Sequence, residues 1–413
     1  MFKFEDHDSI MPNSQLPVPD NEMQRLLSLS ELDLDYSNLE DSFKDLTLLA
    51  AKVAGTEISL INLIDSFTQW TVANHGLQVD QMPREESVCQ YTIMNNGHFE
   101  VSDLSVDARF KDKFYVDGPL GLRYYFGMPL TTSDGVNIGA LCVLDTQIRS
   151  LTPEKIELLE IIGQTVVKRL RSFRALEVLT ERLRESNESK KRVAHDIRGP
   201  LAGIIGLSDI IGEQGEVSDV KEIMEFVGMI NKSGRSLLEL ADEILSSGGQ
   251  PALQENEFNL ILFKEKLVKL YQPQAKHKDI TLDVVLNARN ENVPFSKNKL
   301  LQITGNLISN AIKFTPNGGR ITVGLDLTIN SEKNLLKIAV SDTGTGMDAE
   351  TMQAIKTGNG SSTVGTGGEK GFGFGLSLVS HLVESLNGSL KLDSTPGSGT
   401  TFEVVLPQAG SQW

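Results

Sequence analysis

A histidine followed directly by an aspartate, His195-Asp196, sits in the run Val193-Ala194-His195-Asp196-Ile197-Arg198-Gly199-Pro200-Leu201. Val193, Ile197, Leu201, Ile204 and Ile211 form an apolar stripe at helical spacing, and at 100° per residue His195 falls roughly 170° from the middle of that stripe. The spacing therefore turns the imidazole outward. A neutral imidazole carries a lone pair for attack, and with an unperturbed pKa near 6.5 about three quarters of such rings are neutral at pH 7. Asp196 can take the ring proton as attack proceeds, or fix the tautomer. A His-Asp pair on a helix is more often an ordinary surface pair, so a catalytic reading needs a second constellation elsewhere in the chain.

Three downstream segments supply one. Asn306, Asn310 and Lys313 are spaced by four and three residues and share a helix face. Two amides and an ammonium suit a magnesium-bound triphosphate, because hard cations take amide oxygens and the lysine offsets phosphate charge. Leu300, Ile303, Leu307 and Ile308 provide the opposite, buried side. Leu335 to Val340 reads as a strand running into Asp342-Thr343-Gly344-Thr345-Gly346, where an aspartate among permissive glycines can accept from an exocyclic amine such as that of adenine. Gly371-Phe372-Gly373-Phe374-Gly375-Leu376 then opens an apolar helix reaching about Leu386, and glycines before a helix start leave amides free to approach phosphate. Each piece alone is a common surface or turn pattern. Their joint order downstream of His195 is what points to a nucleotide.

From about Arg169 to Pro407 the sequence resembles the sensor histidine kinases of two-component signalling, whose catalytic domain shares its superfamily with gyrase and the heat-shock chaperone ATPases. His195-Asp196 with Arg198 and Pro200 matches the phosphoacceptor box, and Asn306, Asn310, Lys313 and Phe314 match the asparagine box. Asp342, Gly344 and Gly346 match the adenine-reading box, Gly371, Gly373 and Gly375 the glycine box of the lid, and Gly397-Ser398-Gly399-Thr400 the last box, whose threonine helps hold the adenine aspartate. The resemblance implies that His195 takes the γ-phosphoryl of ATP and passes it to an aspartate on a response regulator receiver domain. It makes Asp196 the base, Asn310 the main magnesium ligand with Asn306 supporting it, and Asp342 the adenine reader. Two positions depart from the pattern. Gly199 stands where relatives that dephosphorylate their regulator carry Thr or Asn to orient a water, which predicts weak phosphatase activity. The stretch from Ala354 to Lys370 lacks the usual phenylalanine box and is glycine-dense, which predicts a lid that moves when no nucleotide is bound.

At 413 residues the chain exceeds one hydrophobic core, and two or three domains are expected. A net charge of −16 argues against nucleic-acid binding. The two cysteines, Cys89 and Cys142, lie far apart without metal-ligand spacing and fit a reducing cytosol. No stretch reaches about 18 uninterrupted apolar residues, and Met1-Phe2-Lys3-Phe4-Glu5-Asp6 has no signal-peptide pattern. The expectation is a soluble, cytoplasmic kinase without a membrane span.

The organisation expected is multidomain α+β. Residues 1–20, with Pro12, Pro17 and Pro19, form a loose arm. Residues 21–168 begin with helical spacing from Asn21 to Val53, then Glu57 to Ile64, Gln69 to Ala73, Tyr124 to Thr131 and Val136 to Leu144 read as strands of a central antiparallel sheet. This portion resembles a GAF domain in Cys89-Gln90-Tyr91-Thr92-Ile93, Asp107-Ala108-Arg109-Phe110 and Ile138 to Asp145. The resemblance implies a small-molecule sensor but names no ligand, and a GAF domain serving only dimerisation stays open. Cys89 reads as a small buried thiol rather than a bilin attachment site.

Residues 169–250 are the connector and a helical hairpin. Thr152 and Pro153 start the connector helix, and Leu159, Ile162, Val166, Phe173, Leu176, Leu179, Leu183 and Val193 suggest a two-stranded coiled coil, interrupted between Phe173 and Leu179 by two steps of three. A second helix from about Asp219 carries Val220, Ile223, Val227, Ile230, Leu237, Ala241 and Ile244 at heptad spacing. Two such helices bury their stripes as a four-helix bundle of a homodimer. Ser246 to Pro251 provides a hinge, and residues 251–413 form a two-layer α/β ATP-binding domain. A degenerate kinase acting as a nucleotide-gated scaffold is the alternative; intact boxes weigh against it.

Overall fold

Strands that are apolar on both sides must be covered on both sides, whereas strands that alternate need only one cover. Both kinds occur here. The computed structural model describes residues 17–36, 39–94, 96–176, 257–329, 334–356, 364–369 and 373–408, with 179, 201, 204, 205, 208, 227–231 and 234–235 between the larger segments. His195, Asp196, Gly371, the turn between the hairpin helices and the hinge all lie outside the described residues.

The N-terminal sheet is of the first kind. Strands β1 (Ile58–Ile64), β2 (Thr68–His75), β3 (Gln81–Pro83), β4 (Phe99–Val101), β5 (Tyr124–Thr131) and β6 (Asn137–Asp145) lie in the order β3-β2-β1-β6-β5-β4, every neighbour antiparallel. Every residue of β1 and of β6 is buried. One face, with Ile61, Leu63, Leu141 and Val143, is covered by α1 (Glu22–Glu31), α2 (Lys44–Ala54) and the first part of α5, residues 153–176. The other, with Leu60, Ala140, Cys142 and Leu144, is covered by α3 (Cys89–Thr92), α4 (Phe114–Asp117) and their loops. The four expected strands are present within two residues at each end. The helical spacing of Asn21 to Val53 resolves into two helices, and β3 and β4, three residues each, are too short to show a period.

One expectation about α5 is corrected. Leu159, Ile162 and Val166 do not face a partner helix: with Val167 and Leu170 they are buried in the core of this same domain. A stripe at three-and-four spacing fits a sheet as well as a second helix. Only beyond Phe173 does the stripe open, with Leu176 62% and Leu179 54% exposed.

The C-terminal sheet is of the second kind. β8 (Thr281–Leu286), β10 (Arg320–Ile329), β11 (Asn334–Asp342), β12 (Ser389–Thr395) and β13 (Gly399–Gln408) take the order β12-β13-β11-β10-β8, antiparallel except for the β10–β8 pair. Burial alternates along β10 and β11, and the inward residues Ile321, Val323, Leu325, Leu336, Ile338 and Val340 meet α6 (Leu260–His277), α7 (Leu300–Phe314) and α9 (Gly375–Ser385). A two-stranded ribbon, β7 (Glu257–Phe258) with β9 (Phe295–Ser296), and helix α8 (Ala349–Lys356) are also present.

The chain divides into two compact units, one of Met1–Arg174 with Phe258–Ala409, the other of Ala175–Glu257 with Gly410–Trp413. Both sheets thus belong to the first unit. Leu26 and Trp70 enter the same apolar core as α6 and α7. Trp70 stacks on Tyr36 at 5.0 Å between ring centroids and meets Tyr271 edge-on at 5.9 Å. Gln274 Nε2 donates to Gln81 Oε1 at 2.7 Å, and the Lys299 amide to Asp33 Oδ1 at 2.9 Å. Among the described residues no helix is long and apolar enough to cross a membrane.

Candidate nucleotide site

Asp342 ends β11, the central strand of the C-terminal sheet, and its position is fixed from two sides. The amides of Gly344 (2.8 Å) and Thr400 (3.2 Å) both donate to its Oδ1, which leaves Oδ2 to accept from an exocyclic amine. Burial raises the Asp342 carboxyl above the usual carboxylate range, and the two amide bonds pull the other way. The loop after it is stapled at both ends: the Thr345 amide donates to the Phe314 carbonyl at 3.2 Å, and the Gly397 amide to the Thr345 carbonyl at 2.7 Å. Glycine is required within this staple. A Cβ on Gly344 would run into the Phe314 carbonyl and the Asp342 carboxylate, and Gly346 has φ +64° with the Thr395 carbonyl where a side chain would stand.

Thr400 does hold the aspartate, but through its amide; its hydroxyl pairs with Ser394 Oγ at 2.9 Å. Ser394 in turn accepts from the Met347 amide at 2.8 Å. Nothing in the sequence around Ser394 singles it out, because its role comes from facing Thr400 across the β12–β13 register.

Asn306, Asn310 and Lys313 share one face of α7 as their spacing requires, yet that face is covered: the three are 3%, 9% and 5% exposed. Asn306 Nδ2 donates to the Gln302 carbonyl at 2.9 Å, while Asn306 Oδ1 and Asn310 Nδ2 are buried without hydrogen-bond partners. Unpartnered buried amides call for a ligand. A half-turn about the terminal torsion of Asn310 would present its oxygen instead of its nitrogen, so the pair fits a hard cation such as magnesium. Burial pushes the Lys313 ammonium down; Glu85 and Glu369 pull it back up, and Lys278 adds to the fall. Its Nζ lies 4.7 Å from the ring centre of Phe314.

Gly375 and Leu376 open α9, whose first turn has no side-chain cap. Gly373, at φ +83°, precedes it. Gly375 adjoins Asn306, so the helix start and the asparagine face meet: a Cβ built on Gly375 would lie 3.1 Å from Asn306 Oδ1. Part of the glycine-dense stretch is anchored. The Thr366 amide donates to the Lys313 carbonyl at 3.0 Å, its hydroxyl to the Thr315 carbonyl at 2.9 Å, and Gly367 N to Glu369 Oε2 at 2.8 Å. Lys278 Nζ ties these parts together, donating to the carbonyls of Ile312 and Lys313 and to Thr366 Oγ1 while pairing with Glu369.

A group from the other sheet also reaches this place. The Phe67 ring, from the β1–β2 turn, would lie 2.7 Å from a Cβ on Gly375. Three buried charges hold that turn. Arg84 donates to the Asp65 carbonyl and its amide to the Phe67 carbonyl, Arg25 donates to the Ile64 carbonyl, and both arginines pair with Glu22. Burial alone would raise the Glu22 carboxyl, but Arg25 and Arg84 outweigh it and hold it at about 2. Sequence reasoning missed Phe67 and Glu85, since neither carries a motif and both come from a different sheet.

A strand-end aspartate, a helix whose two buried asparagines each keep one polar atom without a partner beside a lysine, and a glycine-led helix start are the parts from which a nucleotide site can be built. Residues 296–410 match the family model described as histidine kinase-, DNA gyrase B-, and HSP90-like ATPase. The chain is 32% identical over 221 residues to histidine protein kinase DivJ of Caulobacter vibrioides, covering 52% of this chain and 36% of that protein. It is 30% identical over 227 residues to the autoinducer 2 sensor kinase/phosphatase LuxQ of Vibrio parahaemolyticus, covering 52% and 26%. It is also 34% identical over 187 residues to cyclic di-GMP phosphodiesterase PA2567 of Pseudomonas aeruginosa, covering 44% and 32%. The chain thus spans between about a quarter and just over a third of the length of these relatives. It carries an ATPase domain of the histidine-kinase type, and with it an ATP site.

Proposed function

We propose that this chain is an ATP-dependent protein-histidine kinase, which phosphorylates His195 and passes the group to an aspartate of a response regulator. The observation that carries the reading is the Asp342 carboxylate, held by two main-chain amides, together with two buried asparagines on α7 that each keep one polar atom without a partner. Asp342 accepts from the adenine amine through Oδ2. Asn310 and Asn306 would hold a magnesium ion through their amide oxygens, and the ion would supply positive charge to offset that of the triphosphate. Lys313 adds a positive charge, and the start of α9 offers amides to the phosphates. His195 then attacks the γ-phosphorus in line with the departing ADP oxygen, while Asp196 takes the ring proton.

A homodimer is the proposed state. Leu201, Ile205 and Val227 are 44%, 52% and 46% exposed on helical segments of the single chain, and Leu201 and Val227 lie on the expected seams. Apolar helix faces of this kind are covered in a bundle. The N-terminal domain is proposed as a GAF-like sensor that controls the kinase, and the contact supporting control is Phe67 against Gly375. With Phe67 and the Glu85 charge at the phosphate end of the site, the docked sensor opposes nucleotide entry.

The test is incubation of the full chain with magnesium and ATP labelled at the γ-phosphate. Label that is lost in acid, kept in alkali and absent from His195→Gln supports the reading. Acid-stable label, or equal label in His195→Gln, overturns it.

A further inference from the structure

Cys89 and Cys142 are the only two cysteines of the chain, 53 positions apart. Folding brings them together. Cys89 opens α3 and Cys142 lies on β6, and their Sγ atoms are 3.6 Å apart in the core, on the face of the sheet away from α1 and α2. Two small thiols packed side by side would need nothing polar around them. These have a built surround.

Asn62, on β1 and fully buried, donates from Nδ2 to both sulfurs, at 3.3 Å to Cys89 and 3.2 Å to Cys142. Its orientation is set by its own oxygen, which accepts from Thr71 Oγ1 at 2.9 Å, so the amine end faces the sulfurs. The Tyr125 hydroxyl donates to Cys89 Sγ at 3.3 Å and is paired with Thr92 Oγ1 at 2.7 Å. Donors aimed at sulfur favour a thiolate. Burial raises the Cys89 thiol, but the contacts from Cys142, Tyr125 and Asn62 outweigh it and bring it below the ordinary thiol range, whereas burial pushes Cys142 well above that range. The contacts are asymmetric in the same sense: Cys89 Sγ also accepts from the Tyr125 hydroxyl, whereas Cys142 Sγ donates to the Leu60 carbonyl at 3.5 Å.

We propose that Cys89 and Cys142 form a redox site that reacts with a small hydroperoxide, hydrogen peroxide being the simplest, and closes to an intramolecular disulfide. In the first step the Cys89 thiolate attacks one peroxide oxygen. An S–O bond forms, the O–O bond breaks, and the departing hydroxide leaves as water with the proton Cys89 had given up. Cys89 is now a sulfenic acid, oxidised by two electrons, and the peroxide is reduced by two. In the second step the Cys142 sulfur attacks the Cys89 sulfur. The S–S bond forms, the S–O bond breaks, and hydroxide leaves as a second water with the Cys142 proton. The net change is two thiols and one peroxide to one disulfide and two waters. Cys89 and Cys142 are 3% and 1% exposed, which restricts the oxidant to a molecule of about that size.

The experiment uses the full chain, reduced and then exposed to hydrogen peroxide, with remaining thiols alkylated in acid. The expected result is loss of both free thiols per chain, a mass lower by about 2 Da than that of the reduced chain, and one Cys89–Cys142 cross-linked peptide that dithiothreitol releases. In Cys142→Ser, Cys89 is expected to stop at the sulfenic acid and be trapped by dimedone. Two intact thiols after peroxide, cross-links only between chains, or oxidation of Cys142 with Cys89 left reduced would each overturn the proposal. The mass measurement needs no variant, so it decides the matter even if Cys142→Ser fails to fold.

Discussion

Cutting the Phe67 ring back to a methyl group is expected to tighten ATP binding. The ring is half-buried at the end of the β1–β2 turn and stands against Gly375, where the phosphates would enter. Full burial of a phenylalanine is worth about 1.5–3 kcal/mol, so a half-buried ring contributes about 0.75–1.5 kcal/mol to the docked arrangement. A tenfold change in an equilibrium constant is about 1.4 kcal/mol. Apparent affinity scales with the fraction of molecules in the binding-competent state. With the docked state dominant, Phe67→Ala should lower the apparent Kd for magnesium-ATP up to about tenfold. Calorimetric titration of the full chain reads this directly, with Val106→Ala, at a 76% exposed position of the same domain, as the control. Binding by Phe67→Ala that is unchanged within about twofold, or weaker than wild type, would refute the idea that this turn guards the site.

Gly344→Ala should weaken ATP binding by at least about tenfold and cost about 1–3 kcal/mol of stability, because its Cβ meets the Phe314 carbonyl and the Asp342 carboxylate; a variant that melts and binds like wild type would contradict the close packing described. The Glu22 carboxyl lies at about 2 in the folded chain against its ordinary 4.5. A lowered carboxyl contributes stability that is complete above the unfolded value and lost as pH falls through the folded one. Urea unfolding should therefore show a loss on the order of 3 kcal/mol between about pH 5 and pH 2, flattened in Glu22→Gln, and equal slopes in both proteins would count against the buried triad. Gly199 offers no side chain to orient a water, so the half-life of a phosphorylated regulator should be unchanged by adding this protein without nucleotide; rapid dephosphorylation, lost on mutation near His195, would show otherwise.

The parts of this fold that follow from short-range periodicity were readable in the chain. The strand read from Leu335 to Val340 and the four-and-three spacing of Asn306, Asn310 and Lys313 placed a strand-end aspartate and a helix face where the structure has them. What depends on distant packing was not. The stripe of α5 has the same spacing whether it meets a helix or a sheet, and Leu159, Ile162 and Val166 meet the sheet. Thr400 was assigned to Asp342 by its box, but whether the hydroxyl or the amide does the holding depends on Ser394, one strand away. Phe67 reaches Gly375 of α9, and the Glu85 charge acts on Lys313 of α7, each from more than two hundred residues earlier in the chain, and no local pattern announces such an approach.

The ATP site stands or falls with Asp342, and calorimetric titration of the full chain and of Asp342→Asn with magnesium-ATP tests it most directly. On the proposed reading the substitution removes a charge-assisted hydrogen bond to the adenine amine, worth about 1.5–3 kcal/mol. The expected result is one nucleotide per wild-type chain and an affinity about 10- to 100-fold weaker in Asp342→Asn. Equal affinity in the two proteins, or no binding by wild type and by Phe67→Ala alike, would contradict it.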